Sequence, residues 1–146
     1  MKILIIGAGR IGSSVAESLV SEANDITVID KDPANISFLQ SRFDLRGIVG
    51  DALSPQLLEN ASASDTDILI AVTSSDETNL AVCLLASRVF NIPTRIARVR
   101  NEELRSYPRL LREEGFDATT VIWPDQALPR YLVKLIDIPE ALQVQE

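Results

Sequence analysis

Short apolar runs alternate with helix-like segments along the 146 residues of this chain, and this alternation constrains the fold more than any other feature. Runs such as ILII and ILIAV are apolar on both faces, which is typical of parallel strands covered by helices on both sides. Strands are predicted at 3–6, 25–30, 45–50, 67–72, 93–100 and 117–122. Right-handed connections then predict an α/β fold with a doubly wound, six-stranded parallel sheet in the Rossmann order 3-2-1-4-5-6.

The segments between these strands carry helix patterns and capping residues. Ile11, Val15 and Leu19 recur every four residues and mark one face of a first helix. Ser74 and Glu77 have the spacing of a capping box, so a helix is predicted to begin there and to run to about Phe90. Further helices are predicted at 33–42, at 54–61 with Ser54 as the cap, and at 102–114 with a break at Pro108.

The carboxyl-terminal part is predicted to leave this domain. A last helix is expected from Trp123 to Asp137, and the segment 138–146 has the character of a linker that starts towards a further lobe. We therefore expect the doubly wound domain to span 1–137 and a linker to start at 138–146.

Composition narrows the functions that this chain can have. The net charge of −7 disfavours non-specific attraction to nucleic acid. The absence of histidine excludes Ser-His-Asp, Cys-His and histidine-based metal chemistry within the chain. Cys83, the single cysteine, lies in the apolar run LAVCLLA and is expected to fill the core. We predict no catalytic residue and no metal site.

The expected location is the cytoplasm. No apolar run approaches the roughly 20 residues that cross a bilayer. The sequence begins at Met1 with strand-like residues, and no signal peptide is expected before them.

The glycine loop Gly7-Ala8-Gly9-Arg10-Ile11-Gly12 follows the first strand and opens the first helix. In this context the G-x-G-x-x-G spacing predicts a phosphate-binding turn. Gly7 permits the tight turn, Gly9 lets backbone amides approach a phosphate, and Gly12 lets helix and strand pack closely. The helix N-terminus offers free amides and the positive end of its dipole to the anion.

Asp30 ends the second strand and supports the same interpretation. A carboxylate at this point can accept hydrogen bonds from both ribose hydroxyls of an adenosine and would repel a 2′-phosphate. NAD or ATP is therefore favoured over NADP, although the adjacent Lys31 weakens that discrimination. The alternative is that the glycines form only a tight turn and that Asp30 is a charge at a strand end.

Arg10 is unusual inside the loop. A site built only for hydride transfer does not need it, whereas a clamp for terminal phosphates or a contact across a dimer would use its planar donors. The alternative is an exposed arginine on the first helical turn.

Other candidates follow strands that end at the same edge of the sheet. Asp51 could face an adenine, or could be a turn carboxylate. Thr73 and Ser74 could line the middle of the site, or could only cap a helix. The expected cofactor-binding set is completed by Ala52 and Val72.

Arg98 and Arg100 lie at the end of the fifth strand with the same parity, so both can point to one side. Six of the 14 basic residues fall between Arg95 and Arg112. This cluster could face phosphates or a partner, or could be a solvated surface paired with nearby glutamates.

Several segments together resemble a known family. They are KILIIGAGRIG, TVIDKD, GIVGDALSPQLLENA, DTDILIAVTSSDETNLAVCLLA and PTRIARVRNEE. The chain resembles the N-terminal nucleotide-binding domains (KTN, or RCK N-lobe) of TrkA, the peripheral subunits of bacterial Trk potassium-uptake systems. The resemblance spans essentially the whole chain.

The resemblance implies a regulatory domain and not an enzyme. Such domains bind NAD(H) or ATP/ADP, form homodimers that assemble into a larger ring, and act on a membrane potassium-transporting subunit from its cytoplasmic side. It implies phosphate contacts from Gly7, Gly9 and Gly12, and a terminal-phosphate contact from Arg10. It also implies an adenosine end at Asp30 and Asp51, and a far half of the cleft at Thr73, Ser74 and Arg98.

The rival hypothesis is a fragment of an NAD-dependent oxidoreductase that lacks its substrate domain. The sequence offers this reading no placed acid or base. A third possibility is a dimerisation module with a degenerate pocket.

Overall fold

The fold is taken from a computed structural model, which describes residues 1–125 together with Arg130 and Leu132. Six strands form one parallel sheet in the order β3-β2-β1-β4-β5-β6, as predicted. The strands are β1 (Lys2–Ile6), β2 (Asp25–Asp30), β3 (Arg46–Val49), β4 (Ile68–Ala71), β5 (Thr94–Arg98) and β6 (Thr120–Ile122). The helices are α1 (Arg10–Leu19), α2 (Pro33–Arg42), α3 (Pro55–Asn60), α4 (Asp76–Arg88) and α5 (Pro108–Leu111), with 3-10 turns at Ala63–Asp65 and Glu102–Ser106.

Alternate residues of the central strands supply two separate core layers. Ile3 and Ile5 of β1 pack with Val15 of α1 and Leu39 of α2 on one face. Leu4 and Ile6 face the other way, into a layer built with α3 and α4. Because both faces of the sheet are covered, the ligand-accessible positions are confined to its ends.

Most predicted elements are present, and two details were wrong. The cap of α4 is Ser75, not Ser74, because the Ser75 hydroxyl is the one that accepts a hydrogen bond from the Thr78 amide at 3.1 Å. The sixth strand begins at Thr120 and not at residue 117, because Asp117 has a φ of 59°, which extended strands do not adopt. The predicted helix from Trp123 to Asp137 and the segment 138–146 lie largely outside the described residues; residues 124–125 form a turn.

Candidate functional site

A cleft of about 480 Å³ opens at the carboxyl ends of the central strands. It lies where β1 has β2 on one side and β4 on the other, which is the point where the strand order reverses. Doubly wound sheets bind ligands at such a point. Of the predicted residues, twelve line the cleft: Gly7, Gly9, Arg10, Ile11, Asp30, Lys31, Asp51, Ala52, Val72, Thr73, Ser74 and Arg98.

Ala8 and Gly12 are the two predicted residues that do not line the cleft. Ala8 is buried, and its amide donates a hydrogen bond to Oδ1 of Asp30 at 2.9 Å. Gly12 lies inside the first turn of α1, where a Cβ atom would stand 1.8 Å from the carbonyl oxygen of Gly7. Both residues shape the loop without facing its open side.

The three loop glycines differ in what the protein itself requires of them. Gly7 has a φ of 108°, and a Cβ there would lie 3.0 Å from the Thr73 amide nitrogen. Gly12 must be glycine for the helix to approach the strand turn. A Cβ on Gly9, by contrast, would meet no atom within 4 Å and would point into open space. The fold therefore leaves room at Gly9 that a ligand in the cleft can use.

The first turn of α1 presents unsatisfied amides at this opening. Gly9 is the N-cap residue and provides no side-chain cap. The initial N–H groups of a helix have no acceptor within the helix, and the positive end of the helix dipole favours an anion there. Because no side chain caps this turn and the space beside Gly9 is open, its free amides can donate hydrogen bonds to a phosphate group.

Asp30 lies at the edge of the cleft and is already part of a hydrogen-bond network. Its Oδ1 accepts from the Ala8 amide, and its Oδ2 accepts from the Asp32 amide at 3.0 Å and from Nδ2 of Asn35 at 3.2 Å. The carboxylate is therefore held in place beside the glycine loop. Asn35, which also lines the cleft, is a site residue that the sequence did not reveal.

Asp51 stands beyond Asp30, at the end of β3. Its Oδ1 accepts from the Leu53 amide at 2.9 Å, which makes it the turn carboxylate of the alternative interpretation. The same residue is exposed and lines the cleft, so the turn contact does not remove it from the candidate site.

Asn79 organises the opposite end of the cleft. It is 0% exposed, and its Oδ1 accepts hydrogen bonds from the amide and the hydroxyl of Thr73 at 2.9 and 2.7 Å. Its Nδ2 donates to the carbonyl oxygens of Thr73 and Arg98 at 3.1 and 2.8 Å. A single buried amide thus connects the end of β4 to the end of β5. Sequence reasoning missed Asn79, because it ends the polar run TSSDETN and nothing in that run distinguishes a buried amide from an exposed one.

Three arginines face this end of the cleft: Arg10, Arg98 and Arg100. The pKa of Arg98 is lowered, first by burial and then by the neighbouring charges of Arg100 and Arg10, while Asp76 opposes the shift. Within residues 1–125, neither the Arg10 nor the Arg98 guanidinium has a hydrogen-bond or ion-pair partner. The concentration of positive charge favours an anionic ligand.

The other basic residues between Arg95 and Arg112 do not extend this patch. Arg95 is directed away from the cleft, where it donates to the carbonyl oxygens of Asp117 at 2.7 Å and Ile92 at 2.5 Å. Arg105 forms an exposed ion pair with Glu102 at 3.0 Å and stacks on Trp123. The sequence cluster is therefore divided among three environments.

The described residues hold neither a candidate metal cluster nor an exposed thiol. They contain no group of three or more His, Cys, Asp and Glu side chains that could hold a metal ion. Cys83 is fully buried in the core, as predicted, and burial raises the pKa of its thiol to about 12. The arrangement places the N-terminus of α1, which is suited to a phosphate, between the Asp30 carboxylate and a cationic end.

Comparison with protein families matches the TrkA-N domain over residues 3–124. The chain is 44% identical over 145 residues to the Trk system potassium uptake protein TrkA of Haemophilus influenzae and 43% identical over 145 residues to that of Vibrio alginolyticus. In both cases 99% of this chain is covered, but only 32% of the relative. The chain thus spans about a third of the length of these relatives.

Solved structures show the same fold at low sequence identity. The TrkA-N domain of the inner membrane protein ybaL from Escherichia coli superimposes with a TM-score of 0.73 at 20% identity, covering 92% of this chain and 96% of that one. A GsuK channel bound to NAD superimposes with a TM-score of 0.68 at 21% identity, covering 83% of this chain and 21% of that one.

Proposed function

The chain belongs to the TrkA-N domain family, and we propose that it is the regulatory, adenine-nucleotide-binding domain of a Trk-type potassium uptake system. Its relatives at 44% and 43% identity are potassium uptake proteins, which supports this assignment. The observation that carries the nucleotide-binding part is the open side of Gly9 in front of the uncapped first turn of α1.

The proposed ligand is NAD(H), with ATP or ADP as ligands of the same cleft. The diphosphate contacts the first turn of α1, and Asp30 accepts hydrogen bonds from the ribose. Lys31 and Asp51 lie towards the adenosine. Arg10, Ser74 and Arg98 lie towards the other end. The fold neighbour that was solved with NAD supports this choice.

Regulation requires that the ligand has different affinities for two states of the assembly. We place the chain in a homodimer that assembles into a larger ring on a membrane potassium-transporting subunit, at the cytoplasmic face of the membrane. Within the described residues no helix is long and apolar enough to span a bilayer. In this proposal residues 1–137 form the nucleotide-binding domain, and 138–146 begin the linker to a further lobe.

The regulatory role is tested in cells that depend on a Trk system for potassium. The matching segment of Haemophilus influenzae TrkA is replaced by this chain, either unchanged or with Gly9→Asp. A carboxylate at position 9 occupies the phosphate position while still capping the helix. We expect the variant to change the rate of potassium uptake at least several-fold; equal rates at equal protein levels would contradict the proposal. Ala23→Val, at an exposed position outside the cleft, is the control.

The oxidoreductase alternative is not favoured, because the similar curated proteins are potassium uptake proteins. It makes a distinct prediction: the chain should oxidise NADH in the presence of a suitable ketone. We expect no turnover above background with NADH and a panel of ketones, or with NAD+ and a panel of hydroxy acids, and steady turnover in either direction would support the alternative.

A further inference from the structure

The first turn of α4 forms hydrogen bonds with the backbone at the end of β5. Asp76 accepts hydrogen bonds from the Arg100 amide and the Asn101 amide, each at 3.0 Å, with one carboxylate oxygen for each. One turn later, Asn79 donates to the carbonyl oxygen of Arg98 at 2.8 Å. Asp76 and Asn79 therefore hold both sides of the segment that carries Arg98 and Arg100.

These contacts fix the backbone from which the two arginine side chains extend, and a separate contact holds the side chain of Arg100. The guanidinium of Arg100 donates to the carbonyl oxygen of Ser74 at 2.6 Å, on the loop that precedes α4. Arg98 is partly buried beside it. Like charges that are held close together repel each other, and the lowered pKa of Arg98 has Arg100 among its causes. The backbone contacts from α4 oppose that repulsion.

The position of Arg98 and Arg100 in the cleft indicates which group of a ligand they can bind. A diphosphate on the first turn of α1 has the adenosine at the Asp30 end, so an additional phosphate extends towards the ends of β4 and β5. Arg98 and Arg100 line that end, together with Arg10. Guanidinium groups bind phosphate oxygens through paired, charge-assisted hydrogen bonds, whose strength depends on the geometry.

We propose that Asp76 and Asn79 are positioning residues that preorganise Arg98 and Arg100 for a terminal phosphate, and so determine how strongly the cleft prefers a nucleoside triphosphate to the diphosphate. This inference rests on the proposed nucleotide-binding function. In this proposal the two residues of α4 affect nucleotide selectivity indirectly, by holding the backbone that carries the two arginines. Asn79 is entirely buried and Asp76 is only partly exposed.

The test compares the affinities of ATP and ADP for the wild-type chain and for Asp76→Ala, measured by calorimetry. ATP and ADP differ only in the terminal phosphate, so their affinity ratio isolates the arginine end of the cleft. Preorganisation predicts that Asp76→Ala lowers the ratio of ATP affinity to ADP affinity about fivefold or more. The freed amides of Arg100 and Asn101 lie at exposed positions and can bind water, so this variant is expected to fold.

An effect of charge alone would change the ratio of ATP affinity to ADP affinity in the opposite direction. Removing a carboxylate beside two arginines makes the cleft more positive and would increase the affinity for the more anionic ATP. An unchanged or increased ratio in Asp76→Ala therefore overturns the proposal. Asp76→Asn loses the same charge but retains one acceptor, and preorganisation predicts a ratio between those of the wild type and Asp76→Ala.

Two further variants test whether the effect acts through the arginines. In an Arg98→Gln, Arg100→Gln background, Asp76→Ala should leave the ATP/ADP ratio unchanged, and a further decrease would contradict the proposal. Asp51→Ala is the matched control, because it removes a carboxylate that holds a backbone amide at the adenosine end of the same cleft. It should weaken ATP and ADP equally. If the wild-type chain binds neither ATP nor ADP, this inference fails; if it does not bind NADH either, the proposed function itself fails.

Discussion

Gly9 is the position in this loop where a side chain would affect ligand binding without affecting folding. Its φ of −73° and ψ of −160° suit other residues, and the space beside it is open. Gly7 and Gly12 instead face backbone atoms of their own chain. A substitution at position 9 therefore tests the ligand, and a substitution at position 12 tests the fold.

We predict that Gly9→Asp leaves the free energy of unfolding unchanged or raises it by up to about 1 kcal/mol, because aspartate is a favourable N-cap at the positive end of a helix dipole. Gly12→Ala should lower it by at least about 2 kcal/mol, since its Cβ would overlap the Gly7 carbonyl. Urea unfolding of both variants provides the measurement. An equal loss of unfolding free energy in both variants would contradict this prediction, because it would show that position 9 is also a packing position.

Cys83 predicts a specific dependence of stability on pH. Burial raises the pKa of its thiol from 9.0 to about 12, whereas the thiol of the unfolded chain ionises at its ordinary pKa. The unfolded state thus loses a proton that the folded state keeps. Between pH 9 and 12 the free energy of unfolding should fall by up to about 1.4 kcal/mol per pH unit from this group. Unfolding of the wild type and of Cys83→Ala across this range isolates the effect; parallel curves would contradict it.

At the scale of elements, Arg95 joins β5 to the loop that leads into β6. Its side chain is 12% exposed, and its guanidinium pairs with Oδ1 of Asp117 at 3.4 Å and donates to two backbone carbonyl oxygens. Asp117 also accepts a hydrogen bond from Ser87 of α4. The positive φ of Asp117 is therefore held from both the sheet and a helix.

We predict that Arg95→Met lowers the free energy of unfolding by about 3 kcal/mol, because two carbonyl groups lose their arginine donor and the partly buried Asp117 carboxylate loses its closest positive charge, while it retains the Ser87 hydroxyl and the longer Arg88 contact. Arg105→Met is the matched control: its ion pairs are exposed and should contribute less than about 1 kcal/mol. Chemical denaturation of both variants checks the difference. Comparable losses of unfolding free energy in the two variants would contradict the prediction and would mean that the basic cluster stabilises the fold as a unit.

The order of the elements could be predicted because each depends on local signals. Apolar runs with no polar face indicate parallel strands, and Pro33 with Asp32 marks the start of α2 at the expected residue. Twelve of the fourteen predicted site residues line one cleft, because the carboxyl ends of parallel strands meet at one edge. Their contact with a nucleotide stays a prediction.

The remaining details depend on contacts that the sequence does not display. Ser74 and Ser75 are chemically equal candidates for the cap of α4, and only the backbone geometry selects Ser75. The burial of Asn79 depends on β4 and β5 ending beside it. The six arginines between Arg95 and Arg112 form one cluster in sequence, but Arg98 of β5 lines the cleft, Arg95 of the same strand contacts Asp117 instead, and Arg105 pairs with Glu102 on the surface.

At the scale of the whole molecule, an acidic chain concentrates cationic side chains at one end of one cleft. The net charge is −7, yet Arg10, Arg98 and Arg100 share that end and the first turn of α1 adds its dipole. The carboxylates of Asp30 and Asp51 lie at the other end. In the proposed function this polarity sets the orientation of the nucleotide, with its sugar and base at the acidic end and its phosphates towards the basic end.

A competition measurement tests the central claim that this cleft is a single adenine-nucleotide site. NADH is titrated into the chain by calorimetry, first alone and then in the presence of saturating ATP. The geometry predicts one NADH per chain in the first titration and a strongly reduced apparent affinity in the second, because both ligands need the same α1 amides. Absence of binding by both nucleotides, or simultaneous binding of both, would contradict the claim.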